Sequence, residues 1–129
     1  MCVQLKGKRS VTILVVDDNK EYENVLGQAL QLGGHFVLTA TNGEEAFAVL
    51  QHFKVDLIVS DIRMPKCTGI QLHDMVRGDR RLRALPFVYI TADPCLRVGT
   101  PLDSTGRDFM AAKVPFERLL SVINNISVN

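Results

Sequence analysis

Short apolar runs alternate along the chain with stretches in which apolar residues recur at helical spacing. Val11–Val16 (VTILVV) is β-branched and nearly unbroken, the pattern of a strand buried on both faces. After Asp17, Asp18 and Asn19, the stretch Glu21–Leu32 carries Tyr22, Val25, Leu26, Ala29 and Leu30 on one helical face, and Gly33-Gly34 ends it. Phe36–Ala40 reads as a second strand. Thr41-Asn42-Gly43 is a turn or cap, and Glu44–Phe53 predicts a helix with Ala46, Phe47, Val49 and Leu50 inward. Val55–Ser60 is a third strand. Ile70–Arg77 predicts a helix with Ile70, Leu72, Met75 and Val76 apolar. Phe87–Ile90 and Phe109–Ala112 read as fourth and fifth strands, and Phe116–Ile126 as a final amphipathic helix. Alternation of this kind in a short chain requires parallel strands joined by right-handed crossovers, and such apolar central strands require helices on both faces. The expected architecture is a doubly wound α/β sandwich of about five strands and about five helices.

Composition narrows the function classes. The 129 residues suit one compact domain, expected over 11–127, with 1–10 a polar, basic, disordered N-terminal stretch. Hydrophobic residues at 47% and charged residues at 22% exclude a disordered chain. A net charge of +1 creates no global field for nucleic acid or for an anionic membrane. No apolar run approaches the roughly 20 residues of a membrane span, and the N-terminus lacks the apolar region of a signal peptide. Cys2, Cys67 and Cys95 form no CxxC pair and no metal-ligand spacing, so they read as free thiols of a reducing cytoplasm.

In doubly wound folds, ligands bind beyond the carboxyl ends of the strands. The first predicted strand ends in Asp17-Asp18, the third in Asp61 and the fourth in Thr91, while Lys113 follows the fifth. Clustered carboxylates repel one another unless a cation joins them. Hard oxygen ligands suit Mg²⁺, which binds through one or two carboxylates plus a phosphate. A carboxylate can also act as a nucleophile and become an aspartyl-phosphate. Phosphoryl transfer mainly needs positioning and neutralisation of the equatorial oxygens, which a metal ion, a lysine ammonium and a hydroxyl supply.

These residues resemble the receiver domains of two-component response regulators. The matches are VVDDN at Val15–Asn19, DIRMP and the following glycine at Asp61–Gly69, ITA at Ile90–Ala92, and Lys113, with Gly106 seven positions before it. The resemblance covers nearly the whole chain and implies a chemotaxis-regulator-like, flavodoxin-like sheet of strand order 2-1-3-4-5. It implies Asp61 as phosphoacceptor, with Thr91 and Lys113 contacting the phosphoryl group. Asp17, Asp18, Asp61 and the backbone carbonyl of Arg63 would hold Mg²⁺ or Mn²⁺, Asp18 being the expected direct ligand of the acidic pair. It implies a sensor histidine kinase or phosphotransfer protein as donor and a downstream protein partner, without direct nucleic-acid or membrane binding. Homodimerisation stays open, and the chemistry is self-catalysed phosphotransfer with slow autodephosphorylation rather than metabolic catalysis.

Each of these residues also has a plainer reading. Asp17 and Asp18 can cap the first helix, Asp61 can be a turn residue before Pro65, Thr91 can be a strand-end β-branched residue with no role, and Lys113 can be a solvated surface lysine. Asp56 reads as a strand-start residue and Asp93-Pro94 as a helix cap. His35, His52 and His73 show no ligand spacing, and His52 and His73 are expected to face solvent. The chain also departs from the family. Lys-Pro-Phe becomes Lys113-Val114-Pro115-Phe116, so a trans Lys113–Val114 bond is expected, because a non-proline cis bond costs about 2.5–4 kcal/mol. Met110 stands where an aromatic switch residue is common. Pro94, Gly99 and Pro101 predict a short or irregular fourth helix. Arg63 sits where the family tunes access of water to the phosphate. An interaction domain with degraded switching is therefore the alternative function. A flavin carrier on the same topology is disfavoured, because the Asp-Asp-Asn-Lys loop would repel a flavin phosphate.

Overall fold

The computed structural model describes residues 10–64, 66–92 and 107–126. The elements run β1 (Thr12–Val16), α1 (Lys20–Leu32), β2 (Phe36–Ala40), α2 (Gly43–His52), β3 (Leu57–Asp61), α3 (Gly69–Arg77), β4 (Phe87–Thr91), β5 (Asp108–Ala112) and α4 (Phe116–Asn124). All five strands are parallel, in the order β2-β1-β3-β4-β5. That is the expected doubly wound sheet. The boundaries differ from the sequence reading by a residue or two, and Phe53 lies just beyond α2 as its C-cap. The expected short fourth helix at 93–106 and the N-terminal stretch 1–9 lie outside the described residues.

Strand side chains alternate between the two faces, and the core divides accordingly. Leu14, Val16, Ile58, Phe87 and Tyr89 meet Ala46 and Leu50 of α2 and Leu72 and Val76 of α3. Ile13, Val15, Leu57, Val59, Val88 and Ile90 meet Leu26 and Leu30 of α1 and Leu119 and Ile123 of α4. Leu72 and Val76 are fully buried, but Ile70 and Met75 on the same helix are exposed, so the inward face of α3 is narrower than its apolar pattern.

Helix starts aim the loops that carry the chemistry. Asn19 caps α1 by accepting from the Tyr22 amide, and Asn42 caps α2 by accepting from Glu45. Thr68 and Gln71 form a reciprocal capping box at α3. Gly69 has no substitute there, because a Cβ at that position would lie 2.1 Å from the Asp61 carbonyl oxygen. Its amide donates to the Ile62 carbonyl at 2.9 Å and closes the β3–α3 loop.

His73 departs from expectation. Rather than facing solvent, it packs edge-on against Phe87, and its Nε2 lies 2.8 Å from Asp108 Oδ2. Arg77, one turn further on, pairs with Asp108 Oδ1 and donates to the Leu85 carbonyl at 2.8 Å. Polar helix positions read as solvated unless another element covers them, and here β4 and β5 do.

Candidate functional site

The carboxyl ends of β1, β3, β4 and β5 converge on one edge of the sheet and bring together most of the predicted site residues. Asp17 follows β1 fully buried, its amide donating to the Ala40 carbonyl at 3.1 Å. Its Oδ1 accepts from the Asn19 amide at 2.9 Å, so it also serves as a turn residue before α1. The N-cap of α1 is Asn19, so the plainer reading of Asp17 and Asp18 as helix caps gives way to a turn position just before the cap. Asp18 is exposed beside it, and Asp61 ends β3 half-buried. One oxygen from each of Asp17, Asp18 and Asp61 lies within 4.8 Å of the others.

Lys113 joins the cluster from the far strand. Its Nζ is 2.8 Å from Asp17 Oδ2 and 3.1 Å from Asp61 Oδ2. Burial of the ammonium works against its charge, but the bonds and charges of Asp17 and then Asp61 outweigh that cost and hold its pKa above the ordinary lysine value. Its amide donates to the Thr91 carbonyl at 2.8 Å, fixing the end of β5 against the end of β4. Thr91 is buried at 8% exposure. Arg63 is exposed, and its amide donates to Asp61 Oδ1 at 3.4 Å. The Lys113–Val114 bond is trans as expected, and the cis bond of this stretch is Val114–Pro115. Met110, at the position discussed above, lies opposite Tyr89 in the β4–β5 register.

Hard carboxylate oxygens this close together fit a small divalent cation. The lysine bridge shows how strongly the pocket calls for positive charge.

Two residues at this edge escaped the sequence reading. Tyr22 counted there only as part of the apolar face of a helix, yet its hydroxyl donates to the Lys113 carbonyl at 2.7 Å. Glu23 carried no assignment, yet it is buried at 2% exposure. No local signal marks either one, since the contact of Tyr22 spans 91 positions of sequence.

Fold and pocket together define a flavodoxin-like α/β domain with a lysine-bridged acidic site at the switch point of its sheet. The family model described as the response regulator receiver domain matches residues 13–124. Response regulator Rre1 of Synechocystis sp. is 33% identical over 119 residues, covering 90% of this chain and 51% of its own. Chemotaxis protein CheY4 of Vibrio cholerae superposes with a TM-score of 0.78 at 26% identity, over 92% of this chain and 100% of that one. Response regulator protein TrrA of Thermotoga maritima, solved in complex with Mg(2+)-BeF, gives 0.72 at 28% identity, over 88% of this chain and 96% of that one. The chain spans about a third to a half of the length of the first curated relatives it matches. It belongs to the response regulator receiver family and is a receiver domain of two-component signalling. Among the described residues, no helix is long and apolar enough to cross a membrane.

Proposed function

We propose that Asp61 is the phosphoacceptor of this receiver domain and that a phosphohistidine of a sensor kinase or phosphotransfer protein is the donor. The observation that carries the reading is the Lys113 ammonium held 2.8 Å from Asp17 and 3.1 Å from Asp61. A cation so placed stands beside the carboxylate that would attack, where a transferred phosphoryl group needs charge. An oxygen of Asp61 attacks phosphorus as the P–N bond of the donor breaks, and the electron pair of that bond returns to the imidazole. Lys113 then shifts its contact from the carboxylate to a phosphoryl oxygen, as a point charge suited to phosphate. The Thr91 hydroxyl, at the neighbouring strand end, donates to a second oxygen. Asp17, Asp18, Asp61 and the Arg63 carbonyl would hold Mg²⁺ or Mn²⁺, which when bound neutralises the charge gathering on the phosphoryl oxygens.

Phosphorylation then shifts the balance between conformations and so alters the binding of a downstream protein. The cytoplasm is the compartment this reading requires. Incubation with acetyl phosphate and Mg²⁺ should add one phosphoryl group by intact mass, and Asp61→Ala should abolish the gain. Equal labelling of Asp61→Ala and wild type would overturn the assignment.

A further inference from the structure

The phosphoryl-contacting role of Lys113 depends on where its backbone and its ammonium are held. β5 ends at Ala112, so Lys113 lies just past the strand. Its amide is secured by the Thr91 carbonyl at 2.8 Å. Its carbonyl is secured by a side chain from the opposite end of the chain, because the Tyr22 hydroxyl on α1 donates to it at 2.7 Å. The same Tyr22 ring lies beneath the ammonium, with Lys113 Nζ 4.9 Å from the ring centroid. That distance is within the range of a cation–π contact. Phe116 at the start of α4 braces the ring at 5.5 Å between centroids. One tyrosine therefore holds the lysine at its main chain and at its charged tip. Burial, Asp17 and Asp61 all push the Tyr22 phenol pKa up, so its hydroxyl remains a donor. Next along the chain, Val114 is 68% exposed and cannot hold the segment by packing.

We propose that Tyr22 is a positioning residue that aims Lys113 at Asp61, an inference that rests on the Asp61 reading above. It touches no transferred atom and acts through the lysine.

Calorimetry on the full chain separates this role from a general structural one. Tyr22→Phe keeps the ring and its packing on Phe116 and removes only the hydroxyl. Beryllofluoride affinity with Mg²⁺ present should fall about three- to tenfold, the scale of one net hydrogen bond. Mg²⁺ affinity without beryllofluoride should hold or tighten, because the ammonium competing for Asp17 and Asp61 is less firmly placed. Tyr22→Leu, which also removes the ring face, should lose more beryllofluoride affinity than Tyr22→Phe. In a Lys113→Ala background, Tyr22→Phe should change neither affinity. Unchanged beryllofluoride binding in Tyr22→Phe, a parallel fall in both affinities, or the same loss without Lys113 overturns the proposal. A wild-type protein that takes up no beryllofluoride overturns the Asp61 reading as well, whereas wild-type uptake with an insensitive Tyr22→Phe overturns this inference alone.

Discussion

Glu23 faces inward from α1 at 2% exposure, and its Oε2 has no hydrogen-bond partner among the described residues. Burial raises its pKa, the Lys20 ammonium at 4.0 Å from Oε1 partly offsets that, and the charges of Asp17 and Glu45 raise it further. The folded chain therefore holds this proton more tightly than the unfolded chain, whose carboxyl releases it near its ordinary value of 4.5. Stability must then fall as pH rises from that value through the raised one. Glu23→Gln should stabilise the protein at pH 7 by about 1 kcal/mol, on the scale of a buried unpaired polar group. That advantage should shrink towards pH 4; an advantage of equal size at both pH values in denaturant melts would contradict the reading. The strand-end residues Asp17, Asp61, Thr91 and Lys113 were legible because each follows a β-branched or apolar run that announces its strand. Glu23 and His73 were not, because whether a polar helix position is covered depends on residues far along the chain.

Between elements, α3 and β5 are joined across β4 by one buried carboxylate. Asp108, 7% exposed, receives His73 at 2.8 Å on one oxygen and Arg77 on the other. Arg77 also donates to the carbonyls of Arg83 and Leu85, fastening the end of α3 to the loop that leads into β4. Asp108→Ala would leave the half-buried Arg77 guanidinium and the His73 ring without their shared acceptor, and loss of a hydrogen bond to a charged group costs about 2 kcal/mol. Chemical denaturation should register a loss of that size in Asp108→Ala, and a change under 0.5 kcal/mol (about the scatter of surface substitutions) would show that the pair contributes little. Element types and order were legible from periodicity alone. Their ends moved by a residue or two, because caps such as Thr68–Gln71 and contacts such as Gly69 on the Asp61 carbonyl set the true boundaries.

For the molecule as a whole, the shifted groups of highest pKa act in the same direction. Lys113 is raised above its ordinary 10.5, and burial followed by nearby charges raises the phenols of Tyr22 and Tyr89 above 10.0. Each binds its proton more tightly in the folded state. Their contributions to stability are thus intact below about pH 10 and are lost as pH climbs through the raised values. The unfolding midpoint in denaturant should hold up to about pH 10 and drop steeply above it, and Tyr22→Phe with Tyr89→Phe should soften that drop; an unchanged alkaline slope in the double variant would refute it. The family match and the assembled acidic pocket favour the receiver reading over an interaction domain with degraded switching. Local sequence determined the strands, the helices and which residue ends each strand, because periodicity and strand-end chemistry are short-range properties. Only the tertiary structure decided that Lys113 bridges Asp17 and Asp61, that Tyr22 holds Lys113, and that Glu23 and Asp108 are buried. Those outcomes depend on which distant elements the parallel crossovers lay side by side, and no window of neighbouring residues contains that information.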